Sequence, residues 1–337
     1  MSKRLGAVAG KSLVLCALLT IGISFVANAA PSGAEPGEVM FPNRSIRVVV
    51  PFPAGGSSDS IARALVDGLS KELGVPVYVD NRPGAATNIG SELVAKSRSD
   101  GYTLLFGGST LVLNSIFGPI PKMDTRTALA PVSTVAHTPF VIATGANSPF
   151  LTMKDYLQVA RAEAGEVTLG SAQLENYVER FKLSAKANVL HVPYRGGAQA
   201  MMETVAGQVD SVMALVPVLL PQLQSGKLRA LGVSSPTRMH GPLAQVPTFA
   251  ESGVDFTMSV WYGLQAPAGI DPERLHRLNQ ATRKVVESAE FSRNLETQGA
   301  NASSSTPQQM ANILTQLRTD WETLAKRQPH LRKPALH

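Results

Sequence analysis

The sequence predicts an α/β protein made of two lobes that flank a cleft. Segments with strand and helix patterns alternate along most of the chain, as in sheets of parallel strands covered by helices. The predicted strands are too numerous for one regular sheet. The length of 337 residues also exceeds that of an average domain, and it leaves enough sequence for a hydrophobic core in each lobe.

The first lobe begins with a predicted buried strand at residues 46–50, which form a β-branched run. Ile61, Leu65, Leu69 and Leu73 then recur every four residues, which places them on one face of a helix. The remaining elements predicted in this part of the chain are a strand at 75–79, a helix at 88–96 and a strand at 102–106, the last preceded by the turn pair Asp100-Gly101.

The second lobe shows the same alternation. Strands are predicted at 140–144, 167–170, 189–192, 210–214 and 228–233, with helices between them at 152–163, 177–187, 198–206 and 218–224. Two long helices follow at 271–288 and 306–327, and we expect them to pack back on the first lobe. The predicted first lobe is therefore 44–142 plus 260–337, the predicted second lobe is 143–259, and two crossing strands join them.

The first 29 residues have the pattern of a secretory signal peptide. Three basic residues flank or precede an apolar stretch at 12–26, and Ala27 and Ala29 supply the small residues that signal peptidase prefers. The apolar stretch is shorter than the roughly 20 residues of a membrane span. Cys16 follows the bulky Leu15, which argues against a lipoprotein. Residues 30–43 are predicted to be a flexible lead-in, and the mature protein is expected in the periplasm.

Composition and charge exclude several classes of function. The chain is 44% hydrophobic and 17% charged, which argues against disorder and against a multi-span membrane protein. Loss of the leader lowers the formal charge from +6 to +3 and removes the only cysteine. Without a long basic cluster, nucleic-acid binding is not expected. The six histidines show no pair at ligand spacing on one helix, so a metal site is not expected. No cofactor is expected either.

The segment between the first strand and the first helix is the most informative part of the sequence. It reads Pro-Phe-Pro-Ala-Gly-Gly-Ser-Ser-Asp at 51–59. Glycines let the backbone approach a ligand closely, and the free N–H groups at the start of a helix favour an anion. The loop follows a parallel strand at its carboxyl end, where open α/β sheets bind their ligands. In the alternative interpretation, Ser57, Ser58 or Asp59 only caps the helix.

A second loop of small residues and hydroxyl groups, Gly-Gly-Ser-Thr at 107–110, follows the third predicted strand. Both loops should converge on one crevice. Arg82, after the second strand, could add a charge or be a structural loop residue.

The sequence resembles the Bug family, the receptors of tripartite tricarboxylate transporters. The resemblance runs in order from about residue 41 to the C-terminus. It is carried by IRVVVPFPAGG at 46–56, DNRPGA at 80–85 with NIG at 88–90, DGYTLL at 100–105, HVPYRGG at 191–197, GKLRAL at 226–231, VPT at 246–248, and WYGL at 261–264 with APAG at 266–269.

The resemblance implies a type II periplasmic-binding-protein fold, or Venus flytrap, whose cleft holds a small carboxylate through backbone amides, hydroxyl groups and water. It implies a carboxylate site in the loop 53–59, assisted by Ser109 and Thr110, and a further contribution from the second lobe. The candidate ligand-binding residues are Pro53, Ala54, Gly55, Gly56, Ser57, Ser58, Asp59, Ser109, Thr110, Ser171, Ala172, Tyr194 and Leu215.

The sequence departs from the family pattern in the second lobe. After Ser171 and Ala172 the family carries a stretch similar to Gly-x-Gly-Thr-Ser-Ser, whereas this chain is shorter and reads QLENY at 173–177. Ala214 and Leu215 stand where many relatives have polar residues. Both differences favour a smaller or more apolar ligand, or one with a single carboxylate.

Several other residues have two interpretations. His191 ends a predicted strand and is either structural or a ligand contact. Trp261 and Tyr262 either line the cleft or pack near the hinge. Arg195, next to Tyr194, either pairs with a carboxylate or lies in solvent.

The expected function is that of an extracytoplasmic receptor, monomeric and not an enzyme, which delivers a small organic acid to the membrane permease of a tripartite carrier. One alternative is a ligand-sensing partner of a membrane sensor. Another is an exported hydrolase, although no Gly-x-Ser-x-Gly motif is present.

Overall fold

The computed structural model describes residues 40–118, 124–162, 167–172 and 174–331. The predicted signal peptide at 1–29 and most of the predicted lead-in lie outside these ranges. The strands are β1 (Ile46–Val50), β2 (Val77–Asn81), β3 (Thr103–Gly108), β4 (Leu129–Gly145), β5 (Val167–Ala172), β6 (Val189–Tyr194), β7 (Ser211–Leu215), β8 (Leu228–Val233), β9 (Ser259–Pro267) and β10 (Asn301–Ala302).

The α-helices cover both faces of the strands. They are α1 (Ser57–Leu73), α2 (Asn88–Ala95), α3 (Ser109–Phe117), α4 (Thr125–Ala128), α5 (Met153–Ala160), α6 (Glu175–Ala185), α7 (Gly197–Val205), α8 (Val216–Gln224), α9 (Pro272–Val286), α10 (Ala289–Thr297) and α11 (Pro307–Arg327). The α/β class predicted from the alternation of patterns is confirmed.

One strand begins later than predicted. Helix α1 ends at Gly74, whose φ of 70° is left-handed, and the chain then needs Val75 and Pro76 to turn back toward the sheet. Proline has no N–H for the strand ladder. Pairing of β2 with β1 therefore starts at Val77, opposite Ile46.

The sequence patterns missed or shortened several elements. Strand β4 is 17 residues long, but only 140–144 were predicted, because prolines and polar residues obscure its first half. Its register shifts at two places, between Pro131 and Ser133 and between Thr134 and Ala136, which breaks the alternation that identifies a strand. Helices α3 and α10 and strand β9 were also missed.

Strand β4 belongs to two groups of strands at once. The whole sheet has the order β2-β1-β3-β9-β4-β7-β5-β6, with β8 and β10 also pairing with β4. Residues 129–139 of β4 pair with β9, whereas residues 140–145 pair with β7 and β8. We call the strands on the β9 side the first half-sheet and those on the β7 side the second half-sheet. The two-lobed fold is confirmed in this form.

The chain crosses between the half-sheets twice, first within β4 and again between β8 and β9. The two crossing segments are joined by hydrogen bonds at Phe140. After β8 the chain returns to β9 through residues 234–258. The Phe140 N–H donates to Ser234 Oγ at 2.7 Å, and the Ser234 N–H donates to the Phe140 carbonyl at 2.9 Å. The Ser234 hydroxyl in turn donates to the Met258 carbonyl. Ser234 is fully buried, so this one side chain joins both crossing segments.

The two long C-terminal helices pack on the first half-sheet, as predicted. The Asn279 amide on α9 donates to the Val132 carbonyl of β4 at 2.7 Å, and Glu72 of α1 pairs with Lys284 of α9 at 2.7 Å. Trp321 on α11 is fully buried and meets Phe117 of α3 edge-on, with 5.9 Å between ring centroids.

We expect Ser234→Ala to destabilise the protein by about 1–3 kcal/mol, because it leaves the buried Phe140 N–H without its side-chain acceptor. Urea denaturation followed by circular dichroism measures the change. Ser225→Ala, at an exposed helix end, is the matched control and should change stability by less than about 0.5 kcal/mol. Equal stability of the two variants would contradict the role given to Ser234.

Candidate ligand-binding cleft

The register of the strands brings two sets of loops face to face. Gly108, at the end of β3, lies opposite Tyr262 of β9, which lies opposite Ala136 of β4. On the other side, Leu215 at the end of β7 lies opposite Phe140 of β4. Ala136 and Phe140 are four residues apart on β4, a separation along the strand on the order of 13 Å. Since β3 and β7 approach these positions from opposite directions along β4, the loops that follow them enclose a cleft at its centre.

The loop 53–58, which follows β1, is held by the carboxylate of Asp59. This residue is only 3% exposed. It accepts hydrogen bonds from the Gly55 N–H, from Arg63 Nε and from Asn81 Nδ2, each at 2.9 Å. Asp59 thus ties the loop both to the first helix and to the neighbouring strand β2. Its predicted contact with a ligand stays a prediction.

The charge of Asp59 is maintained in the folded protein. Burial alone would raise its pKa, but the hydrogen bonds from Arg63, Gly55 and Asn81 outweigh burial, and the pKa lies below its usual value. The Arg63 guanidinium pairs with this carboxylate at 2.9 Å on the same helix face. The pair brings no net charge to the loop, so repulsion of an incoming anion by Asp59 is offset.

The first turn of α1 presents backbone donors to the cleft. Gly56 is the N-cap, and no side chain caps this helix end. The interpretation in which Ser57 or Ser58 caps the helix is therefore wrong, while Asp59 reaches back only to the Gly55 N–H. The first N–H groups of a helix have no acceptor within the helix, and the helix dipole favours an anion beside them.

The exposed tip of this loop also contains the predicted residues Pro53 and Ala54. Gly55 has a φ of 83°, a left-handed value that favours glycine. The loop therefore projects its backbone outward from the end of β1 with no large side chain over it.

Ser109 begins α3 and lies next to this loop, because β1 and β3 are neighbouring parallel strands. It is fully buried, and its Oγ accepts the Trp261 N–H at 3.1 Å. A Cβ on Gly108 would lie 2.1 Å from the Trp261 carbonyl oxygen, so glycine is required for this close approach. Thr110, the next residue of α3, is half-buried. The two predicted loops of the first half-sheet therefore follow neighbouring strands at the same edge of the sheet.

The four predicted ligand-binding residues of the second half-sheet lie at strand ends and differ in their burial and in their neighbours. Ser171 is fully buried, and its hydroxyl lies 2.8 Å from His191 Nε2. Ala172 ends β5 and is half-buried, as is Tyr194, whose ring lies against Gly170. Leu215 ends β7 and packs against the core.

His191 has a structural partner in Ser171, and burial lowers its pKa from the usual value. The two residues of the Trp-Tyr pair on β9 are both buried, and the Tyr262 ring stacks on Phe106 with 5.6 Å between centroids. For both sets of residues the structure favours packing over the alternative of an open ligand contact.

Tyr177 is a buried residue of this region that was not among the predicted ligand-binding residues. It follows the shortened stretch after β5, lies in the first turn of α6, and is only 4% exposed. Its ring packs against that of Phe140 on β4, with 4.6 Å between the ring centroids. The sequence signal was the departure from the family pattern at 173–177, but nothing in that string shows which side chain turns inward.

The comparisons with known proteins agree with this architecture. Residues 61–329 match the sequence pattern described as "Tripartite tricarboxylate transporter family receptor". The chain belongs to this receptor family. It is 35% identical to protein BugT of Bordetella pertussis over 309 residues, which cover 89% of this chain and 93% of BugT.

Two solved structures are similar along nearly their whole length. A protein described as a periplasmic transporter is 33% identical, with a TM-score of 0.74 and coverage of 86% of this chain and 98% of the other. A Rhodopseudomonas palustris protein with adipate is 29% identical, with a TM-score of 0.74 and coverage of 85% and 98%.

Receptors of this family bind substrates and are not enzymes, which agrees with the function expected from the sequence. Within residues 40–118, 124–162, 167–172 and 174–331, no helix is both long and apolar enough to cross a membrane.

We expect Asp59→Asn to destabilise the protein by about 1–3 kcal/mol at pH 7, because the charged acceptor of three hydrogen bonds is lost. The folded pKa of Asp59 lies below its usual value of 3.8, so the carboxylate contributes fully above that pH. Its contribution is lost as the pH falls through the lower folded pKa, and the two proteins should then converge in stability.

Chemical denaturation between pH 7 and pH 2.5 measures this difference. Asp67→Asn, an exposed change of the same charge on the same helix, is the matched control and should alter stability little at any pH. A difference between wild type and Asp59→Asn that stays constant down to pH 2.5 would contradict the assignment.

Proposed function

We propose that this protein is an extracytoplasmic solute receptor that binds a small carboxylate in the cleft at the centre of β4. The observation that carries the proposal is the first turn of α1, whose backbone donors face the cleft beside Ser109 while Asp59 holds the loop from behind. Family membership and the adipate in a similar structure support it.

In the proposed binding mode, a ligand carboxylate lies at the N–H groups of Gly56, Ser57 and Ser58. Hydrogen bonds to a charged acceptor are stronger than those between neutral groups, and the helix dipole adds to them. Thr110 and the strand ends of the second half-sheet would complete the site. All of the candidate residues named from the sequence are proposed to form this site. Asp59 is proposed to position the loop and not to contact the ligand.

The direct test removes one backbone donor without disturbing the helix. Ser57 is the first residue of α1, a position that favours proline, and Gly56 before it has the extended conformation that a residue preceding proline requires. Ser57→Pro deletes both the N–H and the hydroxyl, whereas Ser57→Ala deletes the hydroxyl alone. We expect Ser57→Pro to bind the ligand at least about tenfold more weakly than Ser57→Ala does.

Isothermal titration of the purified mature protein against a panel of mono-, di- and tricarboxylates gives the affinities. Equal affinities of the two Ser57 variants would overturn the binding mode. Failure of the wild type to bind any carboxylate of the panel would overturn the proposed function itself.

We also propose that the ligand-bound receptor docks on the membrane permease of a tripartite carrier. Binding would favour closure of the two lobes, at 44–142 plus 260–337 and 143–259, through contacts that only the closed state makes with both. Ligand-dependent co-purification with a permease supports this proposal. Ligand-dependent co-purification with a membrane sensor instead would favour the sensing role.

Export is proposed to follow removal of the signal peptide after Ala29. N-terminal sequencing of the protein from a periplasmic extract should then begin at Ala30. An intact N-terminus in the membrane fraction would contradict cleavage, and Ala29→Leu, which places a bulky residue at the cleavage site, should block processing.

A further inference from the structure

The first half-sheet contains a cavity that is separate from the cleft. Its volume is about 300 Å³, and it lies between helices α3 and α11, over strands β4 and β9 and beside α4. We call it the α3–α11 cavity. Among the described residues that line it, none belongs to the loop 53–58, and neither Ser109 nor Thr110 is included. The cavity is therefore not part of the proposed carboxylate site.

The walls of the α3–α11 cavity are largely apolar. They are formed on α3, β4 and α11 by Leu111, Val112, Leu129, Pro131, Ala311 and Leu314. An apolar cavity of about 150 Å³ holds a benzene molecule, so a cavity of twice that volume has room for a substituted aromatic ring. Apolar walls with few polar groups are typical of sites for small organic molecules.

Gln265 places one polar group in this apolar surface. It lines the cavity from β9, opposite Pro131 of β4, and is only 3% exposed. A Cβ on Gly107 would lie 2.8 Å from Gln265 Oε1 and 2.5 Å from Leu111 Cδ1, so the amide oxygen lies beside the cavity wall. This buried oxygen has no hydrogen-bond donor in the described part of the chain. Because an unsatisfied buried acceptor costs free energy, a bound molecule that donates to it gains that free energy.

The charged groups at the entrance balance one another. Arg126 and Arg318 are the cations that line the cavity. Arg126 Nε donates to both carboxylate oxygens of Asp124, at 2.9 Å and 2.8 Å, and Arg318 Nη1 lies 3.8 Å from Glu322 Oε1. Two positive and two negative charges produce no net attraction for an anion. The entrance therefore suits a neutral molecule.

We propose that the α3–α11 cavity is a second binding site, for a small neutral phenol. The phenol hydroxyl donates to Gln265 Oε1, and the ring lies against the apolar side chains of α3 and α11. The hydroxyl supplies the donor that Gln265 lacks, and the ring removes apolar surface from water without bringing a charge into the cavity. This inference goes beyond the proposed function and does not depend on it, because the two sites share no residue.

The experiment compares two molecules that differ in the hydroxyl donor, 4-ethylphenol and its methyl ether, 4-ethylanisole. Isothermal titration of the purified mature protein should show the phenol binding at least about fivefold more tightly than the ether, because only the phenol can donate to Gln265 Oε1. Gln265→Met removes the acceptor and keeps an unbranched side chain of similar size. In this variant the ratio of the two affinities should fall to about twofold or less.

Substitutions on α11 test whether the two molecules enter this cavity. Ala311→Phe fills the cavity with a ring of the protein and should weaken the binding of both molecules at least about tenfold. Ile313→Phe is the matched control, because residue 313 lies on the same helix, is 41% exposed and is not among the residues that line the cavity. It should leave both affinities unchanged. Ser57→Pro, in the carboxylate cleft, should leave them unchanged as well.

Failure of the wild type to bind 4-ethylphenol, or equal affinities for the phenol and the ether, would overturn the inference and leave the proposed function standing. An unchanged ratio in Gln265→Met would do the same. Loss of phenol binding in Ser57→Pro would place the phenol in the cleft and also overturn the inference. If Ala311→Phe does not fold, Ala311→Leu, which adds less volume, takes its place. Loss of carboxylate binding alone would overturn only the proposed function.

Discussion

The continuous hydrogen-bonded strand β4 is the constraint on which the rest of this structure depends. Its first part pairs with β9 and its last part with β7 and β8, so one strand belongs to both half-sheets. The backbone ladder fixes how far the end of β3 stands from the end of β7. The loops that follow β3 and β7 are positioned by that register. Ser234 joins the segment that leads to β9 to Phe140 of β4.

Within this frame the protein uses its charges indirectly. Asp59 and Arg63 neutralise each other behind the loop 53–58 and shape it, while the donors that face the cleft are main-chain groups of a helix start. Backbone N–H groups are rigidly held and carry only partial charge. A site of this kind can bind an anion without burying a full cation, and buried ion pairs gain little once their desolvation is counted.

The second half-sheet has a different chemistry. The hydroxyl group of Ser171 lies at hydrogen-bond distance from His191, the half-buried Leu215 packs against the core, and Tyr177 packs among other aromatic rings. The two half-sheets therefore differ, with a glycine-rich backbone loop at the end of β1 and packed aromatic side chains beside β4. The family relationship indicates a shared architecture, whereas the ligand depends on side chains that differ between relatives.

The sequence by itself determined the α/β class, the order of most elements and the loop at 51–59, because these depend on local properties such as hydrophobic periodicity, turn residues and helix starts. It also carried enough ordered motifs to indicate the receptor family.

Only the tertiary structure decided the length of β4, the engagement of Asp59 by Asn81, and the inward position of Tyr177. Each of these depends on partners distant in sequence: Tyr177 packs against Phe140, 37 positions earlier, and Trp321, far later. A local pattern records the type of each side chain but not the partner that the fold brings to it.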